Sequence, residues 1–83
     1  MLNKSSIQKM SYDRINDILY IDFENARSNS YADDGPFGIE IMRDMDTDEV
    51  TGLMVYYPRK LMMDRQQKLT DLGYSIQLQS CIQ

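Results

Sequence analysis

The clearest pattern in the chain lies in residues 18–23, which read Ile18-Leu19-Tyr20-Ile21-Asp22-Phe23. β-Branched and aromatic side chains favour strands, and successive side chains of a strand point to opposite faces of a sheet. The odd-numbered residues therefore share one wholly apolar face. The even-numbered residues form a second face that is apolar at Ile18 and Tyr20 but carries the carboxylate of Asp22.

The sequence before this strand predicts a hairpin. Residues 7–12 place Met10 and Tyr12 on one face at a spacing of two, which is typical of a strand. Residues 13–17 contain Asp and Asn, whose side chains hydrogen-bond nearby backbone and favour turns. We therefore expect a loop of about five residues between two antiparallel strands.

The sequence after this strand predicts two more strands and a short edge strand. Alternating patterns at residues 37–43 and 50–57 indicate the two strands, and the acidic stretch 44–49 reads as the turn between them. Pro58 ends the second of these strands because proline cannot donate to a strand ladder. The edge strand is expected around residues 28–32, within a polar stretch.

The last third of the chain begins with a helical pattern. Apolar residues recur at helical spacings between Arg59 and Leu72, and Gly73 stands where a helix-terminating glycine belongs. From Tyr74 onward, apolar and polar residues alternate, which predicts a closing strand after the helix. We expect this strand to pair with an edge of its own sheet or with a second chain.

These elements together predict an α+β fold, an antiparallel β-meander of four to five strands with one C-terminal helix packed on one face. The whole chain, residues 1–83, is one domain, with a sheet core at 10–57 and a helix plus strand or tail at 58–83. The face beneath the helix is expected to hold Leu19, Ile21, Ile39, Ile41, Leu53 and Val55. The alternation from Phe37 to Arg43 puts Phe37 on the same side of its strand as Ile39 and Ile41.

Composition narrows the classes of function. The chain has 83 residues, a net charge of −4, no histidine and a single cysteine, Cys81. Scattered basic residues on an acidic chain disfavour nucleic-acid binding, and no segment has the signature of a signal peptide or a membrane span. We therefore expect a cytoplasmic protein without disulfides, zinc or any cofactor, and Cys81 lacks a histidine to activate it.

Two short motifs resemble a known family. Tyr12-Asp13, followed by the run from Asp17 to Phe23, resembles the first hairpin of the bacterial and archaeal family called DUF2283. The segment from Gly38 to Ile41, followed by Asp44, Val50, Gly52 and Leu53, is similar to that family's second hairpin. The resemblance covers about residues 10–57 and implies a compact sheet. The family has no known function, so the resemblance implies no catalytic residue.

Acidic residues are the strongest candidates for chemistry. Asp13 and Asp17 flank the first turn, and a carboxylate pair can act as acid and base in hydrolysis. Asp44, Asp46 and Asp48 have the spacing of the first EF-hand ligands, but the glycine and glutamate that complete such a loop are missing. The simpler interpretation is that Asp13 and Asp17 cap the first turn and that Asp44, Asp46 and Asp48 form a solvated hairpin tip.

The remaining apolar residues predict an interaction surface. Tyr and Met are both enriched at protein interfaces, and an apolar second face of a sheet marks a contact surface. The candidate interface residues are Ile18, Tyr20, Met42, Met54 and Tyr56 on the sheet and Tyr74, Ile76 and Leu78 in the closing strand.

From these residues we expect a non-enzymatic protein-interaction module that forms a homodimer through the sheet face or the closing strand. One alternative is an antitoxin-like or immunity-like partner of a small toxin, with the helix and tail as the contacting segment. A second alternative is a small carboxylate-dependent or metal-dependent hydrolase that uses Asp13, Asp17 and the acidic turns.

Overall fold

The computed structural model describes residues 7–24 and 29–82. This part of the chain forms five strands and two helices: β1 (Ile7–Asp13), β2 (Ile18–Phe23), β3 (Ser30–Asp34), β4 (Ile39–Asp44), β5 (Val50–Tyr56), α1 (Met62–Asp71) and α2 (Leu78–Cys81). The predicted strands agree with these bounds within a few residues. Ser28, where the edge strand was expected to begin, lies outside the described residues.

The strands form one antiparallel sheet in the order β1-β2-β5-β4-β3. The predicted α+β class and antiparallel sheet are confirmed. The connectivity differs from a simple meander because β5 lies between β2 and β4, which gives strands β2 to β5 a Greek-key order. β5 is the strand with the most buried residues, so the central position covers it on both sides.

The core lies on the predicted face of the sheet. Leu19 pairs with Val55, Val55 also pairs with Ile39, and Ile21 pairs with Leu53. Directly opposite residues of antiparallel strands share a face. The main core cluster contains the buried residues Leu19, Ile21, Phe23, Ile39, Leu53, Val55, Leu69, Tyr74, Ile76, Leu78 and Ile82.

The predicted closing strand is wrong. Residues 74–77 have no strand partner, and the chain continues into α2. Gly73 has a φ of 94°, and the N–H groups of Gly73 and Tyr74 donate to the carbonyls of Thr70 and Leu69. These are the two hydrogen bonds of a Schellman motif, which turns the chain back at the end of a helix.

A side chain replaces the strand partner that this segment lacks. The Gln66 amide donates to the carbonyl of Ile76 at 2.8 Å and accepts the N–H of Leu78 at 2.9 Å. Residues 74–77 therefore do not join the sheet, and Tyr74, Ile76 and Leu78 are buried at alternate positions. The alternation in the sequence reflects burial of every second residue, not strand pairing.

The position of Phe37 also differs from the prediction. Phe37 was expected on the core face at the start of a strand, but it lies in the turn before β4 and is 81% exposed. Gly38 follows it with a φ of 90°, a backbone conformation that favours glycine. The strand therefore begins at Ile39, after the chain has turned.

Candidate functional site

The sheet face opposite the core carries the five predicted interface residues of the sheet. Tyr20 pairs with Met54, Ile18 pairs with Tyr56, and Met42 lies beside Gly52. We call this surface, formed by Ile18, Tyr20, Met42, Met54 and Tyr56, the open face. Both helices contribute their buried residues to the core on the other side. Within residues 7–24 and 29–82, therefore, no helix packs on the open face, and Tyr20 is 39% exposed.

The charged group at the centre of the open face is already hydrogen-bonded. The Tyr56 hydroxyl donates to Oε1 of Glu40 at 2.6 Å. This hydrogen bond to a carboxylate, together with burial, raises the pKa of Tyr56 to about 12. The phenol therefore stays protonated at neutral pH, and the Glu40 carboxylate on this face already accepts a hydrogen bond from it.

The three interface candidates in the tail do not belong to a surface. Tyr74, Ile76 and Leu78 are buried in the chain's own core, and the Tyr74 ring stacks on Phe23 with centroids 5.5 Å apart. Their apolar side chains cover the sheet in cis because the Schellman turn directs the segment onto it. The prediction that they form an interface is therefore wrong, and the antitoxin hypothesis loses the tail as its contacting segment.

Asp13 and Asp17 hold the hairpin tip together, as the turn-capping interpretation predicts. Asp13 accepts the N–H groups of Ile15 and Asn16 and the Asn16 amide, and these hydrogen bonds lower its pKa. Asp17 accepts the Tyr12 hydroxyl at 2.8 Å. Neither carboxyl has the raised pKa that a general acid needs at neutral pH.

Asp17 also ties the hairpin tip to the segment that follows β5. Its carboxylate accepts the N–H groups of Arg59 and Lys60, each at 3.1 Å, and its carbonyl accepts the N–H of Tyr57 at 2.7 Å. Burial alone would raise the pKa of Asp17, but the hydrogen bonds outweigh it and hold the pKa below its usual range. Asp17 and Tyr57 both have positive φ values, 55° and 57°.

The acidic turn between β4 and β5 is organised by its own carboxylates. Asp44 is buried and accepts the N–H groups of Asp46 and Thr47 through Oδ1. Asp48 accepts the Tyr31 hydroxyl at 2.6 Å from the edge strand. Among residues 7–24 and 29–82, no three Cys, Asp or Glu side chains are grouped so that they could hold a metal ion.

One cleft at the end of the sheet was not predicted from the sequence. It measures about 460 Å³ and lies between the first hairpin tip and the segment after β5. Its lining residues are Tyr12, Arg14, Ile15, Asn16, Asp17, Tyr57, Arg59 and Lys60. We call it the basic cleft. The only signal in the sequence was the adjacent pair Arg59-Lys60, and nothing local indicated that Arg14 would join them.

Arg65 is a second residue whose role the sequence did not indicate. Its spacing of four residues from Leu61 and from Leu69 places it on the apolar side of the helix, and it is only 1% exposed. Its Nε donates to the carbonyl of Tyr56 at 2.6 Å, and its Nη1 donates to the Asp64 carboxylate. The guanidinium occupies the space that a side chain at Gly38 would need, with the Phe37 ring 5.7 Å away.

The surroundings of Cys81 make its thiol a weak nucleophile. Its thiol donates to the carbonyl of Gln77 at 3.2 Å, and burial raises its pKa. A raised pKa reduces the thiolate fraction on which nucleophilic reactivity depends.

Neither of the two helices in the described part of the chain is long and apolar enough to cross a membrane.

Comparison with known protein families, with curated proteins and with solved structures finds no match to this chain. The resemblance to DUF2283 therefore stays a prediction.

Proposed function

We propose that this chain is a non-enzymatic interaction protein that forms a homodimer through the open face. The observation that supports the proposal is the sidedness of the sheet. α1, α2 and the extended segment between them all pack on one face, while Tyr20, Met54 and their neighbours remain partly exposed on the other. Tyr and Met are residue types that interfaces favour.

The chemistry of the face suits a second copy of the same chain. A two-fold dimer places a surface against itself, so the surface must not bury an unpaired charge at its centre. Here the central carboxylate of Glu40 already accepts a hydrogen bond from Tyr56. Tyr20, Met42 and Met54 beside this pair are uncharged and can pack against their own copies. Asp22, which pairs with Gly52, and Asp34, which pairs with Glu40, add two exposed carboxylates to the same face.

The size of the face sets the expected strength of the dimer. Five strands about 4.8 Å apart and about six residues long cover a planar area of about 500 Å². Standard interfaces bury about 800 Å² on each partner, and side chains make the real surface larger than the planar one. We therefore expect a weak dimer, with a dissociation constant in the micromolar range.

Sedimentation equilibrium of two methionine variants tests the proposal. Met54→Lys places a charge on the open face and should weaken the dimer at least about tenfold, because the ammonium would be desolvated in the interface. Met63→Lys is the matched control, since Met63 is exposed on α1 and away from the sheet. The control should dimerise like the unaltered chain.

Two results would overturn the proposal. One is an unaltered chain that sediments as a monomer at high micromolar concentration. The other is a dimer that Met54→Lys leaves intact or that Met63→Lys weakens equally. Circular dichroism of both variants establishes that each one is folded, so a loss of association is not mistaken for a loss of structure.

A further inference from the structure

The Lys and Arg side chains of this acidic chain fall into two groups, those that form ion pairs with carboxylates and those that do not. The described residues include seven Lys and Arg side chains, of which Arg43, Arg65 and Lys68 form ion pairs with carboxylates. Four cations remain that make no ion pair within residues 7–24 and 29–82. Three of these four, Arg14, Arg59 and Lys60, line the basic cleft.

The cleft is held in shape by backbone hydrogen bonds in which these three side chains take no part. The N–H groups of Tyr57, Arg59 and Lys60 all donate to Asp17. The Asp17 carboxylate accepts the N–H groups of Arg59 and Lys60 and the Tyr12 hydroxyl, while the Asp17 carbonyl accepts the N–H of Tyr57. A ligand would therefore meet a preformed site with three cations against one carboxylate.

Two features of the cleft indicate the class of ligand. Guanidinium groups bind phosphate through paired hydrogen bonds, and an ammonium adds a point charge. Tyr12 and Tyr57 line the same space, Tyr57 is 47% exposed, and the Lys60 ammonium lies 5.9 Å from its ring centroid. Exposed aromatic rings beside cations are the surfaces on which nucleobases stack.

The volume of the basic cleft and its occupied backbone donors argue against a lone phosphate and against a peptide that binds as an added strand. A cleft of about 460 Å³ has the size of a small-molecule site and is larger than a lone phosphate needs. Peptides that add a strand to a receptor bind through its free backbone groups, whereas the backbone donors of Tyr57, Arg59 and Lys60 are already used here. We propose that the basic cleft binds a nucleoside monophosphate, with the phosphate on Arg14, Arg59 and Lys60 and the base against Tyr57.

Calorimetric titration of the full chain with AMP tests this proposal, with inorganic phosphate and adenosine as separate probes. AMP should bind in the millimolar range or tighter, and each of the two fragments should bind at least about tenfold more weakly. Raising the salt concentration should weaken AMP binding because the contacts are ionic.

Variants distinguish this site from general attraction to positive charge. Lys60→Gln and Arg14→Gln should each weaken AMP binding about tenfold or more, since each removes a charge-assisted contact. Lys9→Gln is the matched control, because Lys9 is the fourth cation without an ion pair and lies outside the cleft. The backbone bonds to Asp17 do not depend on these side chains, so the fold should be retained.

Several outcomes would overturn the nucleotide site. They are an absence of heat with AMP, equal binding of AMP and inorganic phosphate, tighter binding of a glutamate-rich peptide than of AMP, or equal effects of Lys60→Gln and Lys9→Gln. None of these results bears on the dimer, because the basic cleft and the open face share no residue.

Discussion

Gly38 and Arg65 show how a single residue shapes this end of the molecule. A Cβ at Gly38 would overlap the Arg65 guanidinium, which is fixed by the carbonyl of Tyr56 and by Asp64. The burial of Arg65 therefore depends on a glycine 27 positions earlier in the chain. Helical periodicity places Arg65 on the apolar side of α1, but it contains no information about the distant groups that the buried guanidinium contacts.

Gly38→Ala should destabilise the fold by more than about 2 kcal/mol. The substitution combines the cost of a positive φ in an L-residue, about 1–2 kcal/mol, with displacement of a buried charged side chain. Gly73→Ala is the control, because Gly73 has a similar φ of 94° at the exposed end of α1. Urea denaturation of both variants measures the difference. Equal losses of unfolding free energy would show that the contact with Arg65 contributes nothing.

The Tyr56 hydroxyl is expected to lose its proton at a higher pH than an ordinary tyrosine. Its pKa of about 12 lies above the ordinary value of 10.0 because Glu40 accepts its proton in a hydrogen bond. Since the folded-state pKa is the higher one, the stabilisation is present below pH 10 and is lost as the pH rises from about 10 to about 12. The Cζ chemical shift of Tyr56, followed by NMR against pH, measures this pKa directly.

The variant Glu40→Gln tests whether Glu40 is what raises the pKa of Tyr56. The variant removes the negative charge, so the pKa of Tyr56 should fall towards 10.0. A Tyr56 resonance that titrates near 10.0 in the unaltered chain, or one that is insensitive to Glu40→Gln, would contradict the role given to this pair.

Among the elements, strands were more predictable than the tail. Residues 18–23 and 50–57 are apolar on one face, and the two strands pair as antiparallel neighbours. The tail has the same period-two pattern, yet the segment between α1 and α2 is not a strand. Periodicity reports which side chains are buried, whereas strand formation also needs a free backbone edge, and the Gln66 side chain takes that place.

The open face was predictable for the same reason. Its residues alternate with the core residues within the same strands, so their positions follow from strand assignment alone. The basic cleft was not predictable, because it joins a hairpin tip to a segment more than 40 residues later through Asp17. Such a contact depends on the Greek-key order, which no local pattern specifies.

The tail is expected to be essential for stability. Leu78 is fully buried against the sheet, so Leu78→Ala should cost about 2–5 kcal/mol of unfolding free energy. Leu61→Ala is the control, since Leu61 is largely exposed just before α1 and should cost less than about 1 kcal/mol. Thermal and urea unfolding compare the two variants.

A conservative substitution keeps this prediction testable when Leu78→Ala fails to fold. Leu78→Met keeps the buried volume and should cost less than about 1.5 kcal/mol. A loss for Leu78→Ala no larger than that of Leu61→Ala would contradict the placement of the tail in the core.

At the scale of the whole molecule, the described residues form two layers, and none of their helices covers the open face. A chain of 83 residues buries only about 60–65% of the surface that its unfolded form exposes, so its margin of stability is small. Association of two copies through the open face would bury further apolar surface where no described helix lies. The two sheets would then pack face to face at about 10 Å.

Intermolecular NOEs in a mixed sample test this arrangement most directly. One half of the sample carries ¹³C-labelled methionine methyl groups and the other half is unlabelled. The account predicts contacts from the methyl groups of Met42 and Met54 in one copy to the rings of Tyr20 and Tyr56 in the other. Contacts that instead arise from Met63 on α1, or none at concentrations where the chain sediments as a dimer, would contradict it.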